Sequence, residues 1–291
     1  MDGTILVTGG TGKTARRLIP KLAAGGADVR PASRSGGTGG DAAGRGVHFD
    51  WNDPTTWDEA LDGVTALYLV GPALDPNPDR SLLPFLDRAV AAGVRRAVLL
   101  SALGVEQGDA DDVPMRRVEL AVQEAVAEAT LLRPTWFMQN FDEGFWQPTI
   151  AAQDAFYLPA DDAKVSFVDA EDIAAVAAAA LLTGDHAGAE YALTGPEAIT
   201  HHEAAEHISA VAGRKVRYVP ISDDAFRAAL LGNGLDPGYA EMLVELFAAA
   251  RAGYSADVSD AVERVTGRPA RSFATYAGGA AGAWTASGVQ S

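Results

Sequence analysis

Short apolar runs alternate with helical patterns through the first half of this 291-residue chain, and they predict an α/β fold with a parallel sheet covered by helices on both faces. Two further observations narrow the class to a doubly wound, Rossmann-type sheet with a smaller, mostly helical C-terminal lobe. A glycine-rich turn follows the first run at once, and the alternation stops after Pro134.

Val, Ile and Leu dominate the strand-like runs at residues 4–8, 29–32, 47–49, 65–70, 96–101 and 130–133. Helical patterns fill 14–24, 55–61, 81–92 and 115–128. Gly25-Gly26 ends the first helix and Gly93 the third. Pro114 stands where the fourth begins, a position that suits proline. Pro20 lies inside the first helix and predicts a kink. The glycine-rich run 35–46 reads as a loop. Beyond Pro134, residues 136–146 are crowded with aromatics and have no clean period. Strands are then expected at 164–168, 191–194 and 216–219, with a helix at 170–182. Thr200 and Glu203 have capping-box spacing before a helix that runs through residue 212. This division assigns 1–135 to a nucleotide domain, with 164–195 adding to its sheet, and 136–163 and 196–291 to a substrate lobe.

Acidic residues number 39 and basic ones 23, a net charge of −16. Nucleic acid and anionic membranes both need a basic surface, so neither is expected as a partner. The chain has no cysteine, which excludes disulfides, thiolate catalysis and cysteine metal sites. No run reaches the ~18 apolar residues of a spanning helix, and the start lacks the basic, apolar pattern of a signal peptide. The expectation is a cytoplasmic monomer or homodimer that acts on a small molecule, aromatic or polycyclic in character.

The strongest motif is Thr8-Gly9-Gly10-Thr11-Gly12-Lys13-Thr14-Ala15, directly after the first strand. Glycines permit a tight turn, and the following helix start adds backbone N–H groups and a favourable dipole for a pyrophosphate. Gly9, Thr11, Gly12, Lys13 and Thr14 are the expected dinucleotide contacts; Ala15 stands where a third glycine often packs helix on strand. Gly12-Lys13-Thr14 also suggests a P-loop, but Val7 occupies the position where that motif needs its first glycine. An NAD site usually places an acid about 20 residues after the glycines. Here Ser33-Arg34 ends the second strand, and a hydroxyl beside a guanidinium suits the 2′-phosphate of NADP(H). Asp50 either meets the adenine or caps the turn before Trp51-Asn52. Gly71, Ser101 and Pro134 end the fourth to sixth strands and are the expected walls for the nicotinamide. Trp136, Phe137 and Phe141 are either an aromatic substrate pocket or core, and Gln139 and Asn140 are the polar groups among them.

The lysines are Lys13, Lys21, Lys164 and Lys215, and none lies four residues after a tyrosine. The Tyr-x-x-x-Lys acid–base pair of many short-chain dehydrogenases is therefore absent. His201, His202 and His207 lack metal-ligand spacing and read better as the start of a capped helix. Asp169 and Asp172 read as a complement to the dipole of the 170–182 helix.

Three segments carry a resemblance to the NmrA-like atypical short-chain dehydrogenase/reductase family. They are Ile5-Leu6-Val7-Thr8-Gly9-Gly10-Thr11-Gly12-Lys13-Thr14, Leu131-Leu132-Arg133-Pro134-Thr135-Trp136-Phe137-Met138-Gln139-Asn140-Phe141 and Ser166-Phe167-Val168-Asp169-Ala170-Glu171-Asp172-Ile173-Ala174. Within the family the chain looks most like the ergot-alkaloid reductase branch, which implies NADPH-dependent reduction of a cyclic iminium. Other branches reduce quinones or sense NADP redox state without turnover. Some relatives use Lys or His before the sixth strand, where this chain has Pro114-Met115-Arg116-Arg117, so no catalytic residue is assigned. Two functions stay open. One is an NADPH-dependent reductase of a planar conjugated electrophile, an iminium or a quinone or enone, in a specialised-metabolite pathway. The other is an NADP-binding redox-sensing regulator or accessory protein without turnover.

Overall fold

The computed structural model describes residues 3–36 and 46–284, so most of the run expected as a loop lies outside the described residues. In chain order the elements are β1 (Thr4–Val7), α1 (Ala15–Ala24), β2 (Asp28–Ser33), β3 (Val47–His48), α2 (Trp57–Leu61), β4 (Val64–Leu69), α3 (Asp79–Ala91), β5 (Arg96–Leu100), α4 (Pro114–Ala125) and β6 (Glu128–Pro134). Next come α5 (Gln147–Gln153), β7 (Ala155–Leu158), β8 (Lys164–Val165), α6 (Ala170–Leu182) and β9 (Glu190–Leu193). The chain continues through β10 (Ile199–Thr200), α7 (His201–Ala212), β11 (Arg217–Pro220), α8 (Asp223–Gly232), α9 (Pro237–Arg251), α10 (Ala261–Thr266) and α11 (Phe273–Ala280). Two compact units result. The first comprises Met1–Pro134, Ala170–Leu193 and Arg264–Gly267; the second comprises Thr135–Asp169, Thr194–Glu263 and Arg268–Ser291. No helix among the described residues is long and apolar enough to cross a membrane.

The first unit is a doubly wound sheet. Its seven strands are all parallel, in the order β3-β2-β1-β4-β5-β6-β9. Strand order reverses at β1, and ligands of such sheets bind outside the carboxyl ends at that point. Leu6, Leu67, Leu69 and Leu99 bury one face against Trp57 of α2, Phe85 of α3 and Val118 and Val122 of α4. Phe85 packs edge-on to Phe49, Trp51 and Trp57 at 5.2, 5.2 and 5.4 Å. On the opposite face α1 packs against α6, and Lys21 Nζ bonds Glu171 Oε2 at 2.8 Å. α1 runs unbroken through Pro20, whose ring stands on the exposed side, where water can satisfy the carbonyl left without a donor.

The segment expected to extend this sheet divides. β9 does so by pairing with β6. The strand expected at 164–168 is only Lys164–Val165, and it pairs antiparallel with β10 inside the second unit. There Ser166 turns away, its N–H donating to the Ser255 carbonyl at 2.9 Å. A second pair, β11 with β7, is parallel; β7 and α5, which follow the aperiodic aromatic stretch 136–146, are not among the elements the sequence predicts. Aromatic rings from five parts of the chain make the core of this unit: Phe141, Phe156, Phe167, Phe247 and Phe273, closed by Trp284. Thr200 accepts from the Glu203 N–H, and Glu203 accepts in return, so the expected capping box starts α7.

A charged network ties β5, α4, β6 and β9 together. Glu119 has no exposed surface, yet it accepts from Ser101 Oγ at 2.7 Å, Arg116 at 2.7 Å and both Nε and a terminal nitrogen of Arg133 at 2.7 and 2.8 Å. Arg133 also reaches Glu190 at 2.5 Å. Burial pushes the Glu119 carboxyl up, but the donors of Arg133, Ser101 and Arg116 outweigh it and hold the group below its ordinary range. Its stabilisation is therefore complete above about pH 4.3 and is lost as pH falls below that. Arg133→Met leaves this carboxylate buried without its main partner and should cost about 3–5 kcal/mol in denaturant unfolding. Lys21→Met, at the half-exposed pair with Glu171, should cost under about 1 kcal/mol.

Candidate functional site

Three strand ends build the site of the first unit. Thr8 clamps β1 to β4: its N–H donates to the Tyr68 carbonyl at 3.1 Å, and its hydroxyl accepts from the Val70 N–H at 2.8 Å. The chain turns at Gly9, whose φ of +62° lies in the left-handed region that favours glycine. Gly10 then lies flat on β2. Its N–H donates to the Ala32 carbonyl at 2.9 Å, and a β-carbon there would stand 3.1 Å from Pro31 Cβ and 3.2 Å from Ala32 N and O. Gly12 N–H closes the turn onto the Gly9 carbonyl at 2.7 Å, and Arg16 N–H bonds the Gly12 carbonyl at 3.0 Å. Thr11 and Gly12 are exposed, Lys13 is half-buried and Thr14 is buried. The Thr14 carbonyl accepts from the Arg17 and Leu18 N–H groups at 3.1 and 2.9 Å, and the first turn of α1 holds no acid. An exposed amide turn at the positive end of a helix is a cradle for an anion.

Beside this cradle β2 ends in Ser33 and Arg34. Ser33 accepts backbone bonds from Gly36 and Phe49, both at 3.0 Å, which fixes the strand end. Arg34 is exposed, its carbonyl lies 2.8 Å from His48 Nδ1, and its guanidinium makes no ion pair among the described residues. Asp50 caps the turn before Trp51-Asn52: Oδ1 accepts from the Asn52 N–H at 2.9 Å, and its carbonyl accepts from the Trp57 indole at 2.9 Å. Gly71 follows the end of β4 and is half-buried, with Leu82 3.1 Å from where its β-carbon would be. Ser101 and Pro134 are less available than expected. The Ser101 hydroxyl is committed to Glu119, and Pro134 is buried, its carbonyl taking the Leu103 N–H at 2.9 Å.

The second unit holds the expected substrate residues. Trp136 and Phe137 are half-buried; Trp136 stacks on Trp146 at 6.5 Å and tilts on Phe247 at 4.6 Å. Phe141 is a correction. It has no exposed surface and packs edge-on to Trp146, Phe156, Phe167 and Phe273 at 4.7–5.4 Å, so it is core rather than pocket. Asn140 is half-buried. Gln139 is buried and donates to Asp169 Oδ1 at 2.9 Å, while Arg271 Nε lies 2.8 Å from Asp169 Oδ2. This carboxylate cluster was missed. Gln139 among aromatics was its one signal, because nothing in the sequence links residue 271 to residue 169.

His201 was also passed over, since the capping box accounted for its neighbourhood. Phe167 and Tyr218 lie 5.3 Å from its ring, with Phe141, Trp146, Phe156 and Phe247 within 6.4 Å. Both ring nitrogens are buried without hydrogen-bond partners among the described residues. Burial, with His202 next to it, pushes its pKa down to about 3.

Comparison with known proteins places the chain. The NmrA-like family profile matches residues 1–273, and the chain belongs to that family. A (4-alkanoyl-5-oxo-2,5-dihydrofuran-3-yl)methyl phosphate reductase of Streptomyces griseus is 38% identical over 279 residues, covering 92% of this chain and 95% of the relative. Agroclavine dehydrogenase of Claviceps fusiformis is 34% identical over 282 residues, covering 94% and 96%. Among solved structures, the NADPH-dependent quinone oxidoreductase QOR2 of Escherichia coli complexed with NADPH superposes with a TM-score of 0.78 at 26% identity, covering 94% of this chain and 98% of that one.

The buried imidazole predicts an acid-sensitive second unit. The unfolded chain takes a proton on this residue below about pH 6.5, and the folded one does not until about pH 3. Stability from this residue therefore falls as pH drops through that window, by about 2 kcal/mol between pH 6.5 and 5. Denaturant unfolding of wild type and His201→Phe at the two pH values should show that loss in the wild type only.

Proposed function

We propose that the chain reduces a planar, conjugated small molecule with hydride from NADPH, the acceptor being an iminium or a quinone or enone. At the coarser level the chain is an NAD(P)H-dependent oxidoreductase of the NmrA-like family. The observation that carries the finer reading is the flat glycine turn on β2 with Arg34 at the end of that strand.

The residues present fit NADP(H). The cradle of exposed amides, with Lys13 at the helix start and no acid in the first turn, suits a pyrophosphate. Ser33 and the exposed Arg34 offer a hydroxyl and a fork of donors to a 2′-phosphate. When bound, the carrier supplies a hydride. Gly9, Thr11, Gly12, Lys13 and Thr14 would hold its diphosphate, and Gly71 would border its nicotinamide end. Trp136 and Phe137, with Asn140, are the proposed substrate contacts, because their faces are not fully spent in the core. Gln139, buried beside them in sequence, spends its amide on Asp169.

Catalysis by this chain is chiefly placement. Holding donor and acceptor carbons in a reactive geometry supplies on the order of 7–11 kcal/mol. An iminium needs no protein acid, since its cationic nitrogen takes the electron pair as hydride arrives at carbon. A quinone oxyanion takes its proton from water. The absence of Tyr-x-x-x-Lys fits both. One named relative supports a conjugated acceptor, since it is a reductase of a 4-alkanoyl-5-oxo-2,5-dihydrofuran.

Arg34→Ala should weaken NADPH about ten- to a hundredfold, the worth of a charge-assisted contact, and NADH by less than about threefold. Fluorescence titration reads both, and equal losses contradict the assignment. Stopped-flow NADPH oxidation against a panel of cyclic iminium salts, quinones and enones tests the reaction. Turnover with at least one class is expected; tight NADPH binding with no turnover would favour the redox-sensing alternative.

A further inference from the structure

β3 is only two residues long, but it lies beside the end of β2, with His48 opposite Ser33 in a parallel register. Val47 and Phe49, on either side of His48, are buried in the core shared with α2 and α3, as is Ala32, the partner of Val47. Successive side chains of a strand point to opposite faces, so His48 and Ser33 share the other face. His48 is exposed there. Adjacent strands lie about 4.8 Å apart, so one small anion can meet both side chains.

The ring is held in place. Its Nδ1 lies 2.8 Å from the Arg34 carbonyl. A carbonyl only accepts, so Nδ1 carries a proton and Nε2 is the nitrogen that titrates. Nε2 makes no hydrogen bond among the described residues. Gly36 turns back beside the ring at φ +63°, and a β-carbon there would stand 3.5 Å from His48 Cβ. The charged groups around the ring are Arg34, Asp50 and Asp53. Asp50 Oδ1 is taken by the Asn52 N–H. The Asp53 carboxyl is held below its ordinary range chiefly by the Thr55 hydroxyl and amide, and slightly by His48.

We propose that His48 is a second cation of the 2′-phosphate subsite and binds that phosphate as its imidazolium, so that NADPH takes up a proton on binding and NADH does not. This inference rests on the NADPH reading of the first unit. Arg34 and His48 come from two strands and are tied by one hydrogen bond, so their free donors converge on the same anion. Above neutral pH the 2′-phosphate is already close to a dianion. Its charge favours the protonated ring, and Nε2–H then donates to a phosphate oxygen. The proton comes from solvent and rests on Nε2; no bond of the carrier changes. Arg34 stays charged throughout, so by itself it gives a phosphate preference that does not vary with pH. His48 makes that preference grow as pH falls from about 8 toward 7.

Calorimetric titration at about pH 7.5, in Tris and in a buffer of low protonation heat, counts the protons. Wild type should take up at least about 0.3 proton per NADPH and none with NADH. His48→Asn keeps a donor for the Arg34 carbonyl but cannot carry charge. It should abolish the uptake and raise the Kd for NADPH about three- to tenfold, with NADH changed by less than about twofold. His48→Lys returns a cation and should recover most of the NADPH affinity without uptake. NADPH binding by wild type with no proton taken up, uptake that persists in His48→Asn, or equal losses for NADPH and NADH in that variant would each overturn the inference and leave the functional reading standing. A wild-type chain that binds neither dinucleotide overturns both.

Discussion

The first unit depends on one close approach, that of the Gly10 backbone to β2. The hydrogen bond from Gly10 N–H to the Ala32 carbonyl, at 2.9 Å, holds the two backbones so close that a β-carbon would have to push β2 back by a few tenths of an ångström. That contact sets where the chain leaves β1, and so where α1 begins and which way its first amides point. It also brings the end of β2, with Arg34, beside the turn. Two sites of positive potential thereby stand next to each other: a ring of amide dipoles and a guanidinium. Their separation is a property of adjacent parallel strands rather than of any loop. A chain that carries −16 overall repels anions at long range, so such a local cradle has to work through short, directed contacts.

The second unit reaches order by a different route. Its strands are short and paired two by two, so backbone ladders contribute little. Large rings from distant parts of the chain interlock instead, and bidentate pairs such as Arg251 with Asp223 hold the periphery, at 2.9 and 2.8 Å. An arrangement of this kind fixes the position of the half-buried Trp136, which packs on this cluster and tilts on the fully buried Phe247. It carries an internal weakness too, because His201 takes a place in that core with no partner for its nitrogens among the described residues.

The first unit was largely legible because each of its rules is local. Apolar runs of strand length, Gly25 and Pro114 at helix ends, and glycines after β1 each act within a few residues, and the strands and helices they predict lie within a few residues of the observed ones. The capping box at Thr200 was legible for the same reason. The second unit was opaque where its order comes from contacts far apart in sequence. Lys164–Val165 reads as a strand, but its partner is set by β10, 34 residues on, so its assignment to the central sheet was wrong. Phe141 and Trp136 look alike in sequence, and only packing separates the ring that is core from the ring that is half-exposed.

The central claim is that the turn after β1 and the end of β2 together hold a 2′-phosphorylated nicotinamide dinucleotide. Calorimetric titration of the purified chain with NADPH and with NADH at one ionic strength tests it most directly. Saturable heat at one site per chain, with NADPH at least about tenfold tighter, is the predicted result. Absence of heat with either dinucleotide, or equal affinity for both, would contradict it.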